Sequence, residues 1–228
     1  MRTRADALPS PSDLPSTVAS TVAVSVLAVI GTLAFAVANS VWADWIQAGL
    51  ATSSDLVNGL AFSALPLVIG VLIVARDPRR FGVQVGTTLD RWRLLLVLTC
   101  AMTAFAAGAL LLIGSNPFRG ANPIIQVIAV PVSEELIFRG VLFTVVLGAL
   151  ARVHPPGRAV WLAVVISAVA FGIGHLNNLG SYDATFVVAQ AAYATVLGVA
   201  AGWLRASTTS IVPPVVMHAT VNLVALYF

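Results

Sequence analysis

The chain has little charge and few of several residue types. Only 9% of its 228 residues are charged, against about 25% in ordinary soluble domains. It has no lysine, one cysteine and two glutamates, Glu134 and Glu135. A single cysteine excludes an internal disulfide and a cysteine-based zinc site, so Cys100 is predicted to be a small, packed apolar residue. The net positive charge comes from arginine alone, and it does not require a nucleic-acid partner.

Apolar residues make up 59% of the chain and are gathered in long runs. A helix that spans a bilayer needs about 20 such residues. We therefore predict an all-α, polytopic transmembrane bundle of about seven membrane helices, embedded in a lipid bilayer over residues 17–228. The predicted segments lie near 17–43, 56–75, 93–114, 122–151, 159–176, 184–204 and 211–228. Residues 1–16 are expected to be a disordered cytoplasmic tail, because they are rich in Pro, Ser and charge.

The arginines between the apolar segments predict the orientation of the chain. Alternate loops carry most of them, namely Arg2, Arg4, Arg76, Arg79, Arg80, Arg91, Arg93, Arg152, Arg158 and Arg205. The remaining loops hold Arg119 and three aspartates. Because arginine-rich loops stay in the cytoplasm, we expect a cytoplasmic N-terminus and an external C-terminus. The fourth segment is longer than a span needs, so it should tilt, bend near Pro131 or begin with a non-spanning turn.

Both glutamates lie inside the fourth apolar segment, in the stretch VIAVPVSEELIFRGVLF. A charged side chain near the bilayer centre costs about 2.5–3.5 kcal/mol by insertion scales, so such residues usually mark a functional site. Residues four apart share a helix face, which predicts an ion pair between Glu135 and Arg139. Glu134 points roughly 140° away from Arg139 at the α-helical pitch. It is therefore predicted to be the free carboxylate and a candidate general base.

Two further polar groups stand in other apolar segments. Phe171 precedes His175 by four residues, and His218 precedes Asn222 by the same spacing. Taken singly, a buried ion pair, a packed histidine or an interhelical asparagine has an ordinary structural explanation. Taken together, they supply a base, a second titratable group and hydrogen-bond donors. Those groups suit the activation of water against a peptide carbonyl.

In chain order the three groups read EExxxR, FxxxH and HxxxN. They resemble the CPBP family of intramembrane proteases, which includes the type II CAAX prenyl endopeptidases and bacterial abortive-infection and bacteriocin-immunity proteins. The resemblance covers about residues 120–228. It implies hydrolysis of a peptide bond within the membrane by the catalytic residues Glu134, Glu135, Arg139, His175, His218 and Asn222.

The resemblance also implies a role for each residue. The first glutamate and the first histidine activate the attacking water. The second histidine and the asparagine stabilise the oxyanion, while the second glutamate and the arginine support the site. No HExxH motif, GxSxG turn or pair of intramembrane aspartates points to another class of membrane protease.

The residues leave the role of metal open. Glu134, His175 and His218 could hold a single divalent ion such as zinc with one open position. They could equally perform acid–base chemistry without metal. We expect the metal-free scheme, because the remaining acid, Glu135, is placed to pair with Arg139 and would be a poor base.

The sequence thus predicts an intramembrane endopeptidase acting on a membrane-embedded or membrane-associated peptide in a bacterial plasma membrane. One alternative is a non-catalytic scaffold or immunity factor with the same fold. Another is a proton-coupled transporter with Glu134 as the proton carrier. Transporters often show paired half-repeats, and none is visible in this chain. The oligomeric state and the substrate sequence are not specified by these patterns.

Overall fold

The protein is represented by a computed structural model that describes residues 14–50, 54–84, 91–114 and 116–228. Most of the predicted tail lies outside the described residues, but its last three residues, 14–16, already belong to the first helix. All regular secondary structure in the described residues is helical. This confirms the prediction of an all-α, polytopic helical bundle.

The described residues form seven helices, one for each predicted apolar segment. In α4, two α-helical stretches, Val130–Glu135 and Phe143–Leu150, follow the π-helical turns Ile125–Ala129 and Leu136–Leu142 respectively. The other six helices are α1 (Leu14–Leu50), α2 (Asp55–Val74), α3 (Trp92–Ile113), α5 (Pro156–Gly174), α6 (Ala184–Thr208) and α7 (Val212–Ala225). A 3₁₀ turn, His175–Gly180, continues α5.

The seven helices differ in length and in apolar character. Among the described helices, α1, α2, α3, α5 and α6 are long and apolar enough to cross a membrane. Helix α7 has only 14 residues, fewer than the about 20 that a span requires. Helix α4 is interrupted by its π turns. Helices α4 and α7, which do not meet this criterion of length and apolar character, carry the acid pair and the second histidine motif.

The π turns account for the unusual length of the fourth segment. Pro131 lies in the first turn of Val130–Glu135, directly after the π turn Ile125–Ala129. Proline has no backbone N–H to give to the preceding turn, and a change of helical pitch is one way to accommodate the missing bond. π turns often occur at functional sites, and here they lie on both sides of Glu134 and Glu135.

Glycines let α2 approach α4 closely. A Cβ added to Gly59 would lie 2.5 Å from Ile125, and one added to Gly70 would lie 2.6 Å from Leu136. The two contacts are equally spaced along both helices, so α2 and α4 run in the same direction. Small residues of this kind allow membrane helices to pack backbone against backbone. Helix α2 therefore covers one side of the helix that carries the acids.

The main core lies between α4, α5, α6 and α7, with one face of α3 packed against it. Gly198 of α6 approaches Ala168 of α5 so closely that an added Cβ would lie 2.9 Å from the Ala168 Cα. Side chains from all four helices fill the centre of this cluster, among them Phe138, Phe171, Leu204, Met217 and Val221. The tight packing brings the three polar motifs, which lie far apart in sequence, into one region.

Helix α3 is packed differently, and it corrects the expectation for Cys100. Cys100 is exposed on α3 and is not packed in the interior. Only 6% of the most apolar window of α3 is buried within the protein. In a bilayer, lipid covers such a surface as well as protein does, so an apolar residue in a membrane helix need not face the core.

Candidate active site

Glu135 accepts hydrogen bonds from two side chains at one carboxylate oxygen. Arg139 Nη1 donates to its Oε1 over 3.1 Å, and both residues are completely buried. His218 Nδ1 lies 3.0 Å from the same Oε1. Because a carboxylate can only accept, His218 must carry its proton on Nδ1 for this bond. The ion pair predicted from the spacing of Glu135 and Arg139 is therefore confirmed.

His218 stands between the two glutamates. Its second ring nitrogen, Nε2, lies 3.8 Å from Oε2 of Glu134. The side chains follow in the order Arg139, Glu135, His218 and Glu134, across α4 and α7. A histidine held by an acid at one nitrogen, with the other nitrogen turned towards a reacting group, is the arrangement used by catalytic triads.

The two neighbouring glutamates occupy different environments. The Glu134 side chain is 20% exposed, whereas the Glu135 side chain is not exposed at all. Oε2 of each residue is buried and has no hydrogen-bond partner in the described structure. Leaving a buried acceptor unpaired costs about 1–3 kcal/mol. Both of these oxygens are therefore buried acceptors, and the exposed part of Glu134 lies elsewhere on its side chain.

Aromatic rings hold the arginine and connect the site to α5. The guanidinium carbon of Arg139 lies 4.2 Å from the centre of the Phe171 ring. That distance is well within the range of a cation–π interaction. The ring of Phe171 also meets the ring of His218 edge to face, with centroids 5.8 Å apart. Phe171 therefore contacts both the ion pair and the histidine that bridges the acids.

His175 borders the site from the far side of Phe171. Its Nδ1 donates to the Phe171 carbonyl over 2.9 Å, and the two rings meet edge to face at 4.8 Å. The four-residue spacing of Phe171 and His175 thus corresponds to a direct contact in the structure. In the described structure His175 makes no ion pair with Glu134 or Glu135. Its proposed partnership with Glu134 on one water molecule stays a prediction.

Asn222 is already engaged in a bond to the backbone. Its Nδ2 donates to the carbonyl of Gln126 over 2.9 Å, which ties α7 to the first π turn of α4. An amide nitrogen carries two hydrogens, so one of them is used structurally and the other is left for a ligand. The expectation that Asn222 donates to an oxyanion therefore concerns that second hydrogen.

One of the comparisons with known proteins finds a match that covers the candidate site. Residues 118–224 match the family whose model is described as Type II CAAX prenyl endopeptidase Rce1-like. This segment is similar to that family, and residues 118–224 are called the Rce1-like domain below. It contains all six candidate site residues, and the match confirms the resemblance to CPBP proteases over that segment. No curated protein and no solved structure matches the chain in the corresponding searches.

The histidines and acids of the Rce1-like domain do not fit a three-ligand zinc site. In the described residues no group of three or more His, Cys, Asp or Glu side chains could hold a metal ion. His218 Nε2 lies 3.8 Å from Glu134 Oε2, whereas His175 makes no ion pair with either acid in the described structure. The geometry therefore offers no set of ligands to which a metal-dependent step can be assigned.

Sequence reasoning missed one further residue of the Rce1-like domain. Arg205 was assigned to a loop after a helix ending near residue 204, but α6 continues to Thr208. Arg205 is only 6% exposed, and its Nε donates to the backbone carbonyl of Arg139 over 3.2 Å. The good helix formers that follow the predicted end were the available signal that α6 continues and buries Arg205.

Proposed function

We propose that the protein is an intramembrane endopeptidase that hydrolyses a peptide bond with water activated at Glu134. The observation that carries this proposal is the position of His218, held by Glu135 at one nitrogen and turned towards Glu134 at the other. These groups lie in apolar helices of an Rce1-like domain. A base and a hydrogen-bonding histidine so placed can act on the same water molecule and carbonyl.

Glu134 is the general base in this scheme. Its carboxylate takes a proton from water as the water oxygen attacks the carbonyl carbon of the substrate. The protonated Glu134 then gives that proton to the leaving nitrogen as the C–N bond breaks, which yields a carboxylic acid and an amine. The Glu134 side chain is 20% exposed, which gives water and substrate access to it for this exchange.

His218 stabilises the charge that forms during the attack. With both nitrogens protonated, it donates Nδ1–H to Glu135 and directs Nε2–H to the oxyanion. Arg139 holds Glu135 in place, so the arginine acts through the acid and not on the substrate. Removing one such oxyanion donor typically lowers kcat by about 10²-fold to 10³-fold.

His175 and Asn222 complete the scheme as the family resemblance implies. The Nε2 of His175 is left free because Nδ1 bonds to Phe171, and we assign it to the attacking water. The second amide hydrogen of Asn222 is assigned to the oxyanion. Each role requires the substrate to enter between α4, α5 and α7.

The apolar surroundings define the class of substrate. A peptide that is embedded in the membrane or held at its surface can reach side chains on these helices. We place the protein in a bacterial plasma membrane, with its N-terminus in the cytoplasm and its C-terminus outside. We also propose that no metal is required, so the purified protein should keep its activity after dialysis against a chelator.

The test is a comparison of new peptide termini in membrane fractions from strains that carry the wild type or Glu134→Gln. The amide has the shape of the acid but cannot take a proton, so termini produced by the enzyme should disappear. Asp44→Asn is the matched control, because it removes an exposed carboxylate on α1. Identical termini in the wild type and the folded Glu134→Gln variant would favour the non-catalytic scaffold.

A further inference from the structure

Arg205 is a buried cation that has no acidic partner among the described residues. It lies on α6, is 6% exposed and makes its hydrogen bonds to backbone oxygens. Nε donates to the carbonyl of Arg139 over 3.2 Å, and Nη2 donates to the carbonyl of Arg80 over 3.1 Å. Burying a charge without an opposite charge is costly, so the burial of Arg205 requires an explanation.

The loop after α2 is shaped to receive the guanidinium. Gly82 has φ +83°, and an added Cβ would lie 2.6 Å from Nε of Arg205 and 2.7 Å from its Cζ. A residue with a side chain would be strained at that φ and would also displace the guanidinium. The Gly82 carbonyl accepts a hydrogen bond from the backbone of Ile211 at the start of α7. Arg205 therefore joins the α2–α3 loop, α4 and the turn that leads into α7.

The contact with α4 falls on the residue that orients the site. Arg139 offers its carbonyl to Arg205 and its guanidinium to Glu135. That carbonyl lies in the π-helical turn Leu136–Leu142, where the helical pitch departs from the α form. The guanidinium of Arg205 also lies 5.5 Å from the Phe143 ring, just beyond the same turn. Arg205 thus contacts the π-helical turn that follows the acid pair.

We propose that Arg205 is a positioning residue for the candidate active site. By fixing the Arg139 backbone in the π turn, it sets where the Arg139 guanidinium lies. That guanidinium in turn sets Glu135 and the ring of His218. The fork of an arginine can bind two carbonyls at fixed angles, whereas a lysine ammonium has no such geometry. The inference rests on the proposed function for its kinetic consequence, but its structural consequence can be measured without catalysis.

The experiment compares Arg205→Lys and Gly82→Ala with the wild type. Arg205→Lys keeps the positive charge but removes the planar guanidinium. Gly82→Ala keeps the guanidinium but displaces it, because the added Cβ occupies its place beside the loop. Tyr193→Phe is the matched control. It also removes a side-chain donor of α6 from a backbone carbonyl, that of Met102 at 3.0 Å, but this carbonyl belongs to α3 and not to α4.

Two measurements are made on each folded variant. The first is the NMR signal of the His218 Nδ1–H in histidine-labelled protein, assigned with a His218→Asn variant. The second is kcat and KM on a peptide whose cleavage depends on Glu134. We expect both test variants to shift the His218 signal. We also expect kcat to fall by about 10-fold to 100-fold at unchanged KM, with Tyr193→Phe unchanged in both.

The NMR and kinetic measurements distinguish a failure of this proposal from a failure of the proposed function. If the wild type cleaves no peptide, the proposed function fails, and the His218 signal still decides whether Arg205 positions the site. If Arg205→Lys and Gly82→Ala lower only thermal stability, and the signal and kcat match those of Tyr193→Phe, Arg205 is purely structural and the proposal is overturned.

Discussion

The first three helices and the Rce1-like segment are both apolar, but they bury their residues to very different extents. The most apolar windows of α1, α2 and α3 are 11%, 28% and 6% buried within the protein. Those of α5 and α6 are 50% and 39% buried. Hydropathy alone does not distinguish the two parts, because lipid and protein interior are both apolar surroundings.

The difference in packing coincides with the location of the buried charge. Glu135, Arg139 and Arg205 are buried on α4 and α6. The described parts of α1, α2 and α3 contain no comparable buried ion. A buried ion needs fixed partners in every direction, and only a region packed against protein on all sides can provide them. The comparison therefore indicates that the second half forms the site and the first half covers it.

The largest effect on stability is expected from Glu135→Gln. Arg139 and His218 both lose the carboxylate that accepts their hydrogen bonds. Breaking such a buried pair costs roughly 3–5 kcal/mol, so thermal unfolding in detergent should move to a clearly lower temperature. Glu134→Gln is the control, because Glu134 is partly exposed and makes no hydrogen bond in the described structure. Equal melting temperatures for the two variants would contradict this division.

A matched pair of glycines tests the packing contrast directly. In α5, a Cβ on Gly172 would lie 2.6 Å from the carbonyl oxygen of Ala191 and against the hydroxyl of Thr195. In α3, a Cβ on Gly108 would meet nothing within 4 Å. Overpacking costs about 1–3 kcal/mol, so Gly172→Ala should be destabilised.

Gly108→Ala should be close to neutral, within about 0.5 kcal/mol of the wild type. Both substitutions replace a helical glycine by the same residue, so their intrinsic propensity effects are alike. Melting curves recorded in one detergent make the comparison. If Gly172→Ala is tolerated as well as Gly108→Ala, the second half is less tightly packed than the distances indicate.

His154 offers a smaller, pH-dependent test at the loop between α4 and α5. It is 8% exposed, and its Nε2 lies 2.7 Å from the hydroxyl of Thr21 on α1. Burial, and secondarily the charge of Arg158, lower the pKa of His154 below its ordinary value. The unfolded chain therefore takes up this proton first as the pH falls.

The sign of the effect follows from that order of protonation. The contribution of His154 to the free energy of unfolding is complete above the pKa of histidine in the unfolded chain, about 6.5. It is lost as the pH falls from there towards the lower pKa of His154 in the folded protein. A His154→Gln variant should show a smaller drop in melting temperature between neutral and mildly acidic pH. Parallel curves for the wild type and the variant would show that His154 does not contribute.

The smallest effect is expected from Cys100→Ala. Cys100 is exposed on α3, far in sequence from the site residues. The substitution should leave both melting temperature and peptide cleavage unchanged, as measured on the same preparations. A loss of cleavage without a loss of folded protein would show that α3 takes part in substrate binding.

Much of the fold was readable from the sequence because it depends on local patterns. Seven apolar runs predict seven helices, and a spacing of four predicts the bond from Arg139 to Glu135 whatever surrounds the helix. The exposure of Cys100 was not readable, since composition does not say which face meets lipid. The burial of Arg205 was not readable either, because the end of an apolar run is not the end of a helix.

The sequence by itself determined the membrane class, the helices and the pairing within α4, because each follows from residue type and helical spacing. Only the tertiary structure decided that His218 bridges both glutamates, that Phe171 contacts Arg139 and His218 and that Arg205 holds the Arg139 backbone. These contacts join residues on different helices. Their distances depend on how closely glycines let the helices pack and on how the π turns rotate α4, and neither is written in the spacing of any one motif.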